Sequence, residues 1–338
     1  MRNSKAKSTN ALMKHLRQKG ISITGSKDKR DLQNIGYYHG YKGYRFYKQA
    51  NNSIPFGKFS ELKAVYDFDM KLKAWFYPHI MFIETALKNR VLDSTLDYVK
   101  ESDFGAVYTK ALNAHIEHKH GGEGYKKLLR DKIDLRKQIY TDISQYVTSP
   151  IVQHFYDRDK MIPLWGIFEF LTLGEFGRFY NCLKKDIKLE ICDTLHIDKG
   201  MNTTGDMLGY MIFAMKDLRN AVAHNSPIFD VRFNDQSRKA YPIPKILYNY
   251  LMQEFKLPGS HPYYGRNTQV DFQQIIDYFL LIMYLLKQLG VSKTELKRQT
   301  REFEQIFLNL EKAVPKNIYD IIVPMRIDFK FDFLKKWI

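Results

Sequence analysis

From Phe59 to about residue 98, apolar residues recur three and four positions apart: Leu62, Val65, Tyr66, Leu72, Trp75, Phe76, Ile80, Ile83, Leu87, Val91 and Leu96. That spacing puts them on one face of a single helix about forty residues long. Pro78 lies inside it and predicts a kink or a division into two. A helix of this length must be covered by other elements of similar reach, and the remaining chain offers helices. Leu12 to Lys19 reads as a short basic helix, and a second follows Ser26 and stops near Gly36. Further amphipathic segments run from Tyr125 to Val147, from Pro163 through Phe176, and from Leu208 to Val222 with Thr203 or Thr204 as cap. Asp271 to Leu289 is strongly apolar and Ser292 to Leu310 amphipathic. The tail, Ile318 to Ile338, alternates apolar and charged residues and predicts a short strand. With only 19 Gly and 11 Pro in 338 residues, a turn-rich β-sandwich is disfavoured, and the expected class is all-α with minor β at most.

The organisation expected is a basic N-terminal helical segment over residues 1–50, followed by a helical domain over 51–338. Within the latter, residues 226–268 hold five of the eleven prolines and read as a loop-rich insertion, with C-terminal helices and tail over 269–338.

Lys and Arg number 53 against 37 Asp and Glu, a formal charge of +16, which points to a polyanionic partner. Cys182 and Cys192 are too few for a disulfide framework or a zinc ribbon, so a reducing cytoplasm is expected. The basic start, Met1 to Gly20, has no apolar run to act as a signal peptide, and the longest apolar stretch, Tyr278 to Leu286, is too short to span a bilayer. No phosphate-binding glycine loop is present, so a nucleotide cofactor is not indicated.

One short pattern stands out chemically: Arg219-Asn220-Ala221-Val222-Ala223-His224 at the end of a helix. Asn220 and His224 are four apart and share a face, so the amide could orient the imidazole. Arg supplies a planar fork for phosphate, and His is the side chain that titrates nearest neutral pH. Together they suit phosphodiester chemistry without a metal or other cofactor. With ten His and sixteen Arg in the chain, Arg-Asn placed five ahead of a His is expected roughly 0.02 times by chance. The plain alternative is a capping His beside a surface Arg.

Other candidates carry competing readings. Glu84 is a lone acid on an apolar helix face, in line with Ile80, Ile83 and Leu87, and must be paired if buried. It is either a structural partner for an Arg or a group supporting the Arg219/His224 pair. The block around Tyr37, Tyr38, Tyr41, Lys42, Tyr44, Arg45 and Lys48 interleaves aromatics with cations, as an RNA-stacking platform would. Tyr37, Tyr41 and Tyr44 also fall at helical spacing, which fits core packing. Lys126, Lys127 and Arg130 are candidate phosphate contacts, or simply a solvated helix face. His115, His118 and His120 lie in a Gly-rich stretch that reads as a mobile loop rather than a metal site.

Arg219 to His224 resembles the RNxxxH signature of HEPN ribonucleases, and the chain around it resembles the Abi family of bacterial abortive-infection proteins, of the AbiF/AbiD type. Ile35-Gly36-Tyr37-Tyr38 with Gly43-Tyr44 is similar to that family's "NYYRLxGY" block, and Val65-Tyr66-Asp67-Phe68-Asp69 with Leu72-Lys73 to "LYxFDxxLR". Ile83-Glu84 with Leu87 and Arg90 looks like "IExxLR", Trp165 to Gly174 like "WxxIExLSFG", and Asp217 to His224 like "LRNxxAH". The resemblance spans roughly residues 12–232. Lys73 stands where Arg is usual, and residues 233–338 match only loosely. The resemblance implies a HEPN-like helical bundle and a metal-independent endoribonuclease leaving 2′,3′-cyclic phosphate and 5′-hydroxyl ends. In it His224 would be the acid/base, Arg219 the phosphate clamp and Asn220 the orienting group, completed by a second copy in a homodimer. It also implies a toxin-like role in antiviral defence, held in check by a structured non-coding RNA. A non-catalytic RNA-binding HEPN module and a protein-interaction unit remain the alternatives.

Overall fold

The computed structural model describes residues 8–198, 200–235, 241–258, 269–323 and 327–338. Among these the chain is all-α: fifteen α-helices, with strand geometry limited to isolated bridges. The chain opens with α1 (Thr9–Gln18), capped by Ser8, and α2 (Gly25–Ile35). The Tyr-rich block follows as a π-helical turn over Gly36–Lys42.

The long helix is α3 (Phe59–Val99), 41 residues and unbroken through Pro78, so the proline does not divide it. At that point the ring of His79 stacks on Trp75 at 4.3 Å, and its Nδ1 lies 2.6 Å from the Trp75 carbonyl. Leu62, Val65, Leu72, Phe76, Ile80, Ile83, Leu87 and Val91 are wholly buried along α3, and burial of that stripe offsets the lost helix bond.

Around it lie α4 (Phe104–Lys110), α5 (Glu123–Gln145), α6 (Pro150–Tyr156), α7 (Leu164–Phe170), α8 (Leu173–Cys182) and α9 (Lys185–Thr194). The segment expected as one helix from Pro163 through Phe176 is two. Thr172 accepts from the Glu175 amide while Glu175 accepts from the Thr172 amide, a reciprocal cap that ends one helix and begins the next. The next helix, α10 (Met207–Ala223), is preceded by Asp206 rather than capped by Thr203 or Thr204; Thr204 instead hydrogen-bonds Asp206. The span 226–268 is less irregular than its prolines imply, because Lys245–Glu254 forms α11. Residues 236–240 and 259–268 of it lie outside the described residues.

Helices α12 (Ile275–Gln288) and α13 (Lys293–Ala313) close the far side of α3, where Phe279 and Phe303 stack at 3.9 Å and both meet Trp75. The tail is not a strand. It forms α14 (Lys316–Ile322) and α15 (Ile327–Trp337). The alternation of Phe329, Phe331 and Phe333 resembled a period of two, but the buried set is Ile327, Lys330, Phe331, Leu334 and Ile338, a helical stripe. Lys330 is buried against the equally buried Asp277 of α12, which locks α15 in place. No described helix is long and apolar enough to cross a membrane.

Lys330→Met leaves Asp277 buried without its cation and should cost about 3–5 kcal/mol near pH 8. Burial already pushes the Asp277 carboxyl above the usual carboxylate range, and removing Lys330 pushes it further. The folded variant then holds a proton that the unfolded chain releases, so its stability falls as pH rises and recovers on acidification. Urea midpoints of variant and parent at pH 5 and pH 8 check this; a deficit that grows at pH 5 contradicts the buried pair.

Candidate functional site

Helix α10 presents the candidate residues at its C-terminal end. It packs closely on α8 because Gly177 faces Phe213, where a Cβ would meet the ring at 2.9 Å. His224 is its C-cap, and Asn225 follows at φ 53°, in the left-handed region. The Asn225 amide donates to the Val222 carbonyl and the Ser226 amide to Ala221, a Schellman closure with Asn where Gly is commonest. That closure fixes the direction in which the chain leaves the site.

A buried carboxylate holds the closure against α3. Asp69 is fully buried, pairs with Lys73 at 2.8 Å and accepts the Tyr44 hydroxyl at 2.6 Å. Its other oxygen accepts the amides of Ile228 and Phe229 at 2.8 and 2.7 Å. Lys73 in turn donates to the Asn225 side chain at 2.9 Å. Three separated stretches of sequence therefore meet at one acid: the Tyr block, the start of α3, and the loop after His224. Burial and the adjacent carboxylate push the Tyr44 hydroxyl well above its usual range, so it stays a donor.

Higher on α3, Glu84 pairs with Lys88 at 3.0 Å, and Lys88 also donates to the Leu171 carbonyl. Glu84 Oε2 faces Arg219 Nε at 3.8 Å; both atoms are buried without a hydrogen-bond partner. This is an ion pair across a gap, not a hydrogen bond. Arg219 Nη1 lies 3.4 Å from the Asn220 side-chain oxygen. Asn220 thus turns toward Arg219, and among the described residues its amide does not hold the imidazole; the two residues are joined only by the helix bond from the His224 amide to the Asn220 carbonyl. Arg219 is partly exposed, and Asn220 and His224 are exposed. The His224 ring makes no hydrogen bond among the described residues.

The Tyr block divides. Tyr41 and Tyr44 are buried, so their faces belong to the core and are not open to a base. Tyr37 is half-buried, whereas Tyr38 is 71% exposed with Lys42 beside it. Lys42 and Arg45 are exposed; Lys48 is tied to the Gln273 carbonyl and, through its amide, to Asp230. Lys126, Lys127 and Arg130 are exposed on α5. His115 is buried beside Tyr125, and no described group of three or more His, Cys, Asp or Glu is placed to hold a metal. Both cysteines are buried and free.

Asn225 and Lys88 carry the site's geometry and were not singled out from sequence. The signal for Asn225 was present: an Asn directly after the last helical turn, ahead of Ser226-Pro227, is a helix-stop pattern. Lys88 stands four residues beyond Glu84, the spacing of an ion pair.

The sequence matches the Abi-like protein family over residues 30–230, 201 of its 338 residues, and the chain belongs to that family. The match takes in the Tyr block, α3, α10 and the loop to Asp230, which is the set that meets at Asp69 and Glu84. No curated protein and no solved structure matches the chain.

Lys73→Met strands Asp69 in the core and should cost about 3–5 kcal/mol of stability. Asn225→Gly keeps the left-handed turn and loses only one hydrogen bond, about 1 kcal/mol. Asn225→Ala adds left-handed strain of about 1–2 kcal/mol. Urea unfolding of the three variants should reproduce that order; Asn225→Ala as stable as Asn225→Gly would refute the turn argument.

Proposed function

We propose that this protein is a metal-independent endoribonuclease of the HEPN type, acting in abortive infection against phage. The family supports the defence role. The observation that carries the chemistry is the contrast between a buried, heavily bonded frame and an exposed His224 whose ring makes no hydrogen bond among the described residues. The His224 ring is open to solvent beside Arg219, so a substrate phosphate could reach both side chains.

Arg219, steered by Glu84, offers guanidinium nitrogens to a non-bridging phosphate oxygen. The ribose 2′-hydroxyl attacks phosphorus, forming the 2′-O–P bond while the P–O5′ bond breaks. The 2′ proton must be taken up and a proton delivered to O5′, which yields a 2′,3′-cyclic phosphate and a 5′-hydroxyl. One imidazole on one side of the phosphate cannot perform both transfers in a single step. A second copy of the chain, apposing its own α10 end, supplies the other, so the active species is a homodimer. Glu84 acts as a positioning residue. The charge of +16 suits an RNA substrate and a structured RNA that restrains the enzyme.

His224→Ala and Arg219→Ala should each lower RNA cleavage by at least about a hundredfold, the scale of acid–base catalysis. Both should fold like the parent by circular dichroism, because His224 is exposed and Glu84 keeps Lys88. Cleavage by the parent should persist in EDTA, and light scattering should give twice the chain mass in the active state. If both variants cleave normally, the site assignment fails.

A further inference from the structure

The solvent-facing side of α3 carries an uncharged strip about four turns long. Met70, Tyr77 and Phe82 are 36%, 50% and 48% exposed, and Ala74, Pro78 and Thr85 are exposed between and beyond them. From Met70 to Thr85 the charged side chains of α3 are Lys71, at the rim, and Lys73 and Glu84, which are buried. Single exposed apolar residues are ordinary, but a continuous run of about 22 Å on a chain with 53 Lys and Arg marks a place where something docks.

The strip borders the candidate site. Measured round α3 from Lys73, helical geometry puts Glu84 at about 20°, Tyr77 at about 40°, Met70 at about 60° and Ala74 at about 100°. Lys73 touches Asn225, and Glu84 faces Arg219. The end of α10 therefore runs along one edge of the strip, its His224 end level with Lys73 and its Arg219 end level with Glu84. Along the other edge lies α13, where Glu295 interacts with His79 and Arg298 is paired with Glu295 and Glu302.

Charge and symmetry select the occupant. Between Ala74 and Thr85 the strip offers no Lys or Arg to an RNA phosphate. Two copies of a chain of charge +16 repel each other, and an uncharged face is where they can approach closely. A two-fold contact uses one patch twice. With its axis across the strip's midpoint, between Tyr77 and Pro78, the two α3 helices run antiparallel and both α10 ends stay on the same side. Met70 then lies opposite Thr85 and Ala74 opposite Met81, and His224 of one copy comes level with Arg219 of the other. An axis running along α3 would instead send the two α10 ends to opposite sides.

We propose that two copies of the chain pack α3 against α3 in antiparallel register, centred on Tyr77 and Pro78, and that this crossing brings the His224 of one copy to the Arg219 of the other. The choice of a second copy rests on the ribonuclease reading, which needs a second imidazole, but the surface and its register are tested without cleavage.

The test is cross-linking of the full chain through single cysteines placed on the strip, since the native Cys182 and Cys192 are buried. The reagent is a thiol cross-linker of about 8 Å, the separation of closely packed helices. Pro78→Cys should give a covalent dimer. Met70→Cys and Thr85→Cys should each stay uncross-linked alone, because like positions then lie about 22 Å apart, and should cross-link to each other once the two variants are mixed and exchange. Tyr77→Lys sets like charges face to face and should weaken dimerisation at least about tenfold by light scattering. If the strip bound RNA instead, the added cation would leave the mass unchanged and tighten RNA binding, which overturns the proposal. No covalent dimer from Pro78→Cys, or efficient cross-linking of Met70→Cys with itself, overturns it as well. The expected cross-linking pattern in a protein that cleaves no RNA keeps the interface and removes the ribonuclease reading; cleavage by a dimer without that pattern does the reverse.

Discussion

A carboxylate with no access to water needs partners for both of its oxygens, and at Asp69 they come from its own helix and from two distant stretches of chain. Lys73 lies one helical turn on, Tyr44 precedes the long helix, and the amides of Ile228 and Phe229 follow α10. The exit of α10 is therefore not set by α10 alone. The Schellman closure at Asn225 decides how the helix stops, and the Lys73 contact decides where the stop sits relative to α3. Arg219 and His224 inherit their placement from that arrangement. Specificity of assembly is what such a network contributes, since a buried ion pair by itself adds little net stability over an apolar replacement.

The same logic explains why the two ends of the Arg219 environment differ in character. At Asp69 every group is satisfied at short distance. At Glu84 the pair with Arg219 stands at 3.8 Å, with both facing atoms buried and unbonded. An Arg fully consumed by a carboxylate would have no donors to spare for a phosphate. Held at a distance, while Lys88 compensates the acid, Arg219 spends only Nη1, on a long contact with Asn220, and among the described residues keeps Nη2 uncommitted.

Much of this was legible beforehand, and the exceptions have physical causes. The apolar stripe of α3 was readable because a helix buried on one face must repeat at three and four, whereas Arg219, Asn220 and His224 stood out as candidates because rare chemistry was packed into six positions. Glu84 was readable as a buried acid needing a partner. The tail misled because Phe329, Phe331 and Phe333 alternate while the residue that decides its orientation is Lys330, a charged side chain in a core position that no hydrophobic pattern detects. The Tyr block misled in part for the opposite reason: aromatics that could stack bases are also the best core fillers. Only the fold separates Tyr41 and Tyr44, inside, from Tyr38, outside. Asn220's turn toward Arg219 depends on a side-chain torsion, which helical spacing leaves open.

The charge balance sharpens when burial is taken into account. Three of the buried or nearly buried lysines have acids of their own: Lys73 with Asp69, Lys188 with Asp206, Lys330 with Asp277. Each such pair contributes nothing to the net charge, so the core does not account for the +16. Lys132, buried against the neutral Asn113, is the exception, and burial pulls its ammonium below the usual lysine range. The excess therefore belongs almost wholly to side chains that face solvent, where a positive field acts at a distance. A cleavage site needs one or two cations to hold one phosphate. A surface carrying the rest is what the proposed RNA partner would need, and such an attraction would fall steeply with salt.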